Sequence, residues 1–256
     1  MDGVLWKENT PLADLNKIFQ TLDSNNITYV FATNNSMKTP KSYQDKLSEF
    51  GVIVSQEQII TSGTTLANHM KQYFPDGGPV FIIGESGLIE PLSRNGFFHQ
   101  AENVIAVAGG LDKTINYEKL SQATLNLSDE NVSFFFSNID PTYPSPKGNI
   151  PGAGSILAIL ETASNRKAIV TGKPETFMFQ QALDFLRTQP NETLVIGDRL
   201  TTDILGGIRA QCKTALLLSG VTDSAHLDAS NIKPDIISID IISIIEEMMK
   251  TEWIIN

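Results

Sequence analysis

With 256 residues, 41% of them hydrophobic and 19% charged, the chain is long enough for one large domain or a domain carrying a second, and too apolar for a disordered segment. Its 19 basic and 29 acidic side chains leave a formal charge of −10, which argues against a general nucleic-acid or anionic-membrane surface. An anionic substrate would therefore need a local cation or a metal ion. One cysteine, Cys212, excludes an internal disulfide. Beside Ala210, Thr214 and Ala215 it reads as a reduced core thiol, in keeping with an expected cytoplasmic location. No run of 18 apolar residues is present, so no membrane partner is expected.

The spacing of Leu12, Leu15, Ile18, Phe19 and Leu22 predicts a helix over 12–25, and the β-branched and aromatic run from Ile27 to Thr33 predicts a buried strand. Thr33-Asn34-Asn35-Ser36 closes that strand, and Pro40 suits the first turn of a helix reaching Phe50. A strand at 59–61 and a helix over 64–73 repeat the alternation. The turn formers Pro75-Asp76-Gly77-Gly78-Pro79 then interrupt it. A second series follows, with strands at 80–84, 104–108 and 133–137 and helices near 88–95, 117–127 and 154–163. This reads as an inserted domain at 77–167 that divides a first domain into 1–76 and 168–256. The returning part carries the apolar Ala168-Ile169-Val170, a helix over 175–187, a strand at 193–196 and a helix after Asp203. Strands at 214–218 and 235–238 and a helix over 241–250 complete it. Such alternation predicts an α/β class with a mostly parallel, Rossmann-like sheet covered on both faces. Ligands of such sheets bind at the C-terminal ends of the strands.

Four polar clusters sit at predicted strand ends or loops, and each has an ordinary reading. Asp2-Gly3 alone is a common turn. Thr33 and Asn34 could simply cap a helix, although capping and anion binding use the same geometry. Lys173 would normally be a solvated charge, yet it lies between Gly172 and Pro174 directly after an apolar run. Asp198 and Asp203 could be acids favoured by a helix dipole, but two carboxylates behind an apolar strand are also hard oxygen ligands suited to Mg²⁺. His69, His99 and His226 share no metal-ligand spacing and read as surface or helix residues, and Trp6 reads as packing. Ser62-Gly63, behind the strand at 59–61, could line a cleft; nothing in the sequence decides it.

In this order the four clusters resemble the signature of the haloacid dehalogenase-like (HAD) phosphohydrolases. Asp2-Gly3-Val4-Leu5-Trp6, Ser137-Asn138-Ile139-Asp140, Pro151-Gly152-Ala153-Gly154-Ser155 and Gly197-Asp198-Arg199-Leu200-Thr201-Thr202-Asp203-Ile204 look like the type IIA branch, the 4-nitrophenylphosphatase and phosphoglycolate phosphatase relatives. The resemblance covers nearly the whole chain. It implies a HAD core with an inserted α/β cap domain and Mg²⁺-dependent hydrolysis of phosphomonoesters through an aspartyl-phosphate. It implies Asp2 as general acid/base that also offers its carbonyl to Mg²⁺, with Thr33, Asn34 and Asn35 on the phosphoryl oxygens. Lys173 would be the electrostatic stabiliser, and Asp198 and Asp203 would serve the metal. In relatives the cap loop after Asn138-Ile139-Asp140 helps to select the substrate, which nominates Asp140 and Tyr143. Pro141, Pro144 and Pro146 equally suit a rigid structural loop. The family's first motif is Asp-x-Asp-Gly, so the resemblance puts the nucleophile one position before Met1, and the first core strand is expected to be cut short. A homologue without that nucleophile would bind a phosphate ligand without turning it over. The expected partner is a small phosphorylated metabolite, and relatives often pair through the cap.

Overall fold

The structure is a computed structural model and describes residues 1–145 and 147–250, so Pro146 lies outside it. In chain order it begins with β1 (Trp6–Lys7), β2 (Thr10–Pro11), α1 (Leu15–Ser24), β3 (Phe31–Thr33), α2 (Pro40–Glu49), β4 (Ile59–Thr61) and α3 (Ser62–Tyr73). The middle carries β5 (Gly78–Ile83), α4 (Ser86–Arg94), β6 (Phe97–His99), β7 (Ala106–Gly109), α5 (Tyr117–Leu127), β8 (Ser133–Phe136), β9 (Thr142–Ser145), β10 (Gly148–Pro151) and α6 (Ala153–Ser164). The last part has β11 (Ile169–Val170), α7 (Phe177–Leu186), β12 (Leu194–Gly197), α8 (Leu205–Arg209), β13 (Lys213–Leu217), α9 (Ser224–Ala229), β14 (Ile236–Ser238) and α10 (Ile241–Lys250). The α/β class is as expected. The first helix starts at Leu15 and not at 12, because Pro11 belongs to β2 and the Asp14 carboxylate caps the Lys17 N–H at 3.1 Å. The expected strand at 27–33 is reduced to 31–33.

The chain divides into two compact units. The first comprises Met1–Ala32, Gln44–Ile59 and the segment from Phe179 onward; the second comprises Thr33–Tyr43 and Ile60–Met178. The second unit is thus broader than the insertion at 77–167, and takes in the strand-end loop at 33–36, α3 and Lys173.

In the second unit a five-stranded, all-parallel sheet runs in the order β11-β8-β7-β5-β6. Side chains of a strand alternate between faces, and the two cores show it. Val80, Ile82, Ala106, Ala108 and Phe135 pack on one face with Leu66 and Met70 of α3 and Leu88 and Leu92 of α4. Phe81, Ile83, Val107, Phe134 and Phe136 pack on the other with Leu127 of α5 and Ile156, Leu157 and Leu160 of α6. Helix α3 belongs to this unit because its apolar side is one wall of that core. After β7, the buried Asp112 carboxylate meets Lys119 Nζ at 2.7 Å and accepts from the Thr114 N–H and hydroxyl at 2.7 Å each. Burial pushes Asp112 upward, but Lys119 and Thr114 more than offset it and hold the carboxyl below its ordinary value. A depressed carboxylate stabilises the fold above the unfolded-state pKa and loses that contribution as pH falls through the folded one. Lys119→Met should therefore cost about 1–3 kcal/mol at neutral pH, the usual penalty for leaving a buried charged acceptor without its donor. Denaturant melts of both proteins should converge on acidification through the carboxylate range.

In the first unit β12, β13 and β14 form a parallel sheet with β12 at one end, and Leu200, Ile204 and Leu216 pack beside it with Leu227 and Ile232. Strand β13 is buried over Thr214–Leu217, whereas Leu194, Val195 and Ile196 of β12 are only half-buried. Trp6 is packing, as expected. It is buried against Phe50 with the Lys46 Nζ 4.4 Å from its ring centre. Cys212 is a buried free thiol whose pKa is raised by burial. No helix among the described residues is long and apolar enough to cross a membrane.

Candidate active site

The predicted site residues fall into two groups, one in each unit. In the first unit, strand β12 delivers Gly197-Asp198 at its C-terminal end. A π-helical turn, Leu200–Ile204, follows, with the Ile204 N–H reaching the Arg199 carbonyl at 3.2 Å. One extra residue in a helical turn re-aims the side chains around it. Here the turn folds Asp203 back onto the strand end, where a Cβ on Gly197 would collide with the Asp203 side chain. That close approach explains the glycine of the Gly-Asp-x-x-x-x-Asp pattern. Gly3, at φ +76°, plays the same part from the other side, because a Cβ there would collide with the Asp198 carboxylate. Its carbonyl is held by the Ser219 hydroxyl at 2.8 Å.

Asp198 and Asp203 are both buried. The Asp198 Oδ2 accepts the Val221 N–H at 2.9 Å, and the Asp203 Oδ2 accepts the Arg199 N–H at 3.2 Å. Burial, and then the neighbouring Asp203 charge, push the Asp198 carboxyl above its ordinary range despite the Val221 hydrogen bond. A desolvated like-charge pair is costly unless a cation shares it. Asp2 is exposed and bridges to Trp6 through the backbone. Among the described residues no set of three or more His, Cys, Asp or Glu side chains gathers into a metal cluster. The donor chemistry nevertheless suits Mg²⁺, which is commonly held by one or two carboxylates with waters and substrate phosphate. A hollow of about 350 Å³ elsewhere in the first unit, lined by Ile27, Tyr29, Phe185 and Leu186 among others, holds none of the predicted site residues.

In the second unit the loop after β3 is built on short polar contacts. The Asn35 N–H donates to Thr33 Oγ1 at 3.2 Å, and Asn35 Oδ1 accepts the Met37 N–H at 2.8 Å, an Asx turn that fixes the loop. Asn34 is buried and faces the Gly172-Lys173-Pro174 loop. Its Oδ1 accepts the Lys173 N–H at 2.8 Å, and its Nδ2 donates to the Lys173 carbonyl at 3.0 Å and to Asp140 Oδ1 at 3.3 Å. Two residues without an assigned role in the sequence reading complete this cluster. The Asn138 Nδ2 and the Ser62 hydroxyl both donate to the Asn34 carbonyl, at 2.7 and 2.5 Å. Asn138 was visible as a motif residue and Ser62-Gly63 only as residues that could line a cleft; their common acceptor was not visible.

Asp140 begins the β9–β10 hairpin with its N–H on Asn138 Oδ1 at 3.1 Å. Tyr143, on β9, packs against the core beneath α5 and α6, with the Lys113 Nζ 5.1 Å from its ring centre. Of the two nominated specificity residues, Asp140 therefore contacts the Asn34 and Lys173 cluster, while Tyr143 leans on the fold. The histidines have no cluster chemistry. His69 lies buried on α3 with Phe177 4.1 Å away ring to ring, and His99 accepts the Ile82 N–H through Nδ1 at 3.1 Å.

Residues 1–98 match a family described as haloacid dehalogenase-like hydrolase, and residues 170–243 match one described as HAD-hydrolase-like. The chain is 33% identical over 234 residues to the 5'-nucleotidase YutF of Bacillus subtilis, an alignment covering 91% of each. It is 34% identical to phosphoglycolate phosphatase 2 of Arabidopsis thaliana, over 96% of this chain and 91% of that one. Among solved structures it is similar to a 4-nitrophenylphosphatase from Thermotoga maritima, with TM-score 0.91, 30% identity and coverage of 96% and 94%. It is also similar to a glycerol phosphate phosphatase from Mycobacterium tuberculosis in complex with magnesium, with TM-score 0.85, 27% identity and coverage of 94% and 73%.

Proposed function

Because the chain belongs to the haloacid dehalogenase-like hydrolases, and within them resembles the type IIA phosphatases, we propose that it is a Mg²⁺-dependent phosphomonoesterase for small phosphorylated metabolites, working through an aspartyl-phosphate. The observation that carries the metal half is the buried Asp198 and Asp203 pair, whose shared negative charge calls for a cation. Mg²⁺ held there would offset the repulsion between these carboxylates and an anionic ester. Asp198 is the direct ligand in this reading; Asp203 steadies the strand end and the ion, and the Asp2 carbonyl adds a further oxygen.

The remaining roles follow from what each group can donate or accept. The Asp2 carboxyl is exposed and can pass a proton to the leaving alkoxide, then take one from the attacking water. The Lys173 ammonium bears on the transferring phosphoryl group, and the Thr33 hydroxyl with the backbone N–H of Asn34 binds its oxygens, joined by the Asn35 N–H when it leaves Thr33 Oγ1. We assign the nucleophile to the position before Met1, on the spacing of the family's Asp-x-Asp-Gly motif. Of the four relatives named above, one is a 5'-nucleotidase and two are phosphatases named for phosphoglycolate and glycerol phosphate, which supports a small phosphorylated metabolite as the substrate class.

The test is turnover of p-nitrophenyl phosphate with Mg²⁺, with EDTA as the control, and undiminished activity in EDTA would remove the metal from the mechanism. Asp198→Asn supplies an independent readout. A carboxyl whose folded pKa is raised costs stability wherever it is ionised, so in EDTA at neutral pH the variant should melt above the wild type. That advantage should disappear on acidification, when the wild-type carboxyl takes its proton. Mg²⁺ should raise the melting temperature of the wild type only. A chain that binds phosphate with Mg²⁺ yet turns over no ester, even with the residues before Met1 restored, would be a ligand-binding homologue instead.

A further inference from the structure

Resting on the reading of Lys173 given above, we propose that Asn34 is a positioning residue: its side-chain amide clamps the peptide of Lys173 and ties it to Asp140, in place of contacting phosphate itself. A single amide group satisfies both main-chain polar groups of one residue, accepting the Lys173 N–H at 2.8 Å and donating to the Lys173 carbonyl at 3.0 Å. The second Nδ2 hydrogen goes to Asp140 Oδ1 at 3.3 Å. An asparagine amide has two donor hydrogens and one acceptor oxygen, so these three contacts engage both hydrogens and the oxygen. The Asn34 side chain consequently has no donor left for an incoming phosphoryl oxygen, and only its backbone N–H is suited to that task.

The clamp is itself held. Asn138 and Ser62 both donate to the Asn34 carbonyl, so three separate segments, around Ser62, Asn138–Asp140 and Lys173, converge on one residue. Asn34 is buried, and buried hydrogen-bonded networks define a geometry more narrowly than exposed ones because no water competes for their groups. The consequence concerns the direction in which the Lys173 side chain leaves the backbone. Fixing both of its main-chain polar groups fixes the Cα–Cβ vector, from which the side chain must reach the phosphoryl group. Asp140 opens the hairpin of β9 and β10, so the same amide links the hairpin nominated for substrate selection to the cation that handles the phosphoryl group.

Asn34→Ala and Asn34→Asp test this with and without Lys173→Ala, using p-nitrophenyl phosphate turnover and calorimetric binding of inorganic phosphate with Mg²⁺. A misdirected ammonium predicts that Asn34→Ala lowers kcat by about 10²-fold while KM changes little. In the Lys173→Ala background the same substitution should cost almost nothing further, in rate or in phosphate affinity. Asn34→Asp should show a distinct pH profile. Its ionised carboxylate can accept from the Lys173 N–H but cannot donate to the Lys173 carbonyl or to Asp140, whereas the protonated acid recovers one donor. Its rate relative to wild type should therefore rise as pH falls, an effect that a packing role would not produce. Equal losses of phosphate affinity in both backgrounds would mean that Asn34 touches the ligand directly, and would overturn the clamp alone. A wild type that neither binds phosphate nor turns over the ester would overturn the phosphatase reading and the positioning role with it.

Discussion

With the nucleophile assigned before Met1 in place, Lys173→Ala should lower kcat for p-nitrophenyl phosphate by about 10²–10³-fold while leaving the fold intact, the usual cost of removing a preorganised charge beside developing negative charge. Lys173 is a buried lysine, which no solvated surface charge would be, and the amide of Asn34 holds its main chain at both the N–H and the carbonyl. Neither hydrogen bond involves the side chain, so truncation at Cβ should keep these two backbone contacts while removing the ammonium and its methylene stem. Lys173→Arg separates charge from placement. It restores the charge, but a planar guanidinium cannot occupy the position of a compact ammonium, and it should recover little of the rate. Circular dichroism and melting of both variants check the fold. A Lys173→Ala protein with wild-type kcat would show that the lysine does not act on the phosphoryl group.

Much of this arrangement can be read from the order of residues, and the exceptions have physical causes. Helix α5 spans the expected residues 117–127 because local signals agree: Asn116 Oδ1 caps the Lys119 N–H at 2.9 Å and an apolar stripe follows. Strands β5, β7 and β8 were visible for the same reason, with β-branched and aromatic residues between turn formers, whereas the short edge strands β6 and β11 were not. The hairpin of β9 and β10 was not. Pro141, Pro144 and Pro146 suit a rigid loop, yet an isolated antiparallel pair can place a proline where no ladder N–H is needed. The π-turn ahead of α8 was equally hidden, because it arises from the fit of Asp203 against Gly197 and leaves no periodicity of its own. Asn34 could be singled out as a site residue, but its principal contact lies 139 positions away in the chain, and only the fold brings Lys173 to it.

Extending the chain upstream of Met1 by an apolar strand that ends in aspartate should raise both the melting temperature and the phosphatase rate, the latter by about 10³–10⁶-fold. The rate follows from the mechanism, since the family's first motif places its nucleophilic carboxylate two residues before the position held by Asp2. The stability follows from the first unit. Among the described residues strand β12 pairs only with β13, and its Leu194, Val195 and Ile196 are half-buried where a strand inside a parallel sheet is ordinarily covered on both faces. Ile27–Val30 have the composition of a strand but pair with no strand among the described residues, and a hollow of about 350 Å³ borders Ile27 and Tyr29. Two further extensions separate the two effects: the same strand ending in asparagine should restore the melting temperature without the rate, and a polar strand ending in aspartate should restore neither. If the unextended chain already matches the full extension in melting temperature and in rate, the strand and the aspartyl-phosphate mechanism both fail.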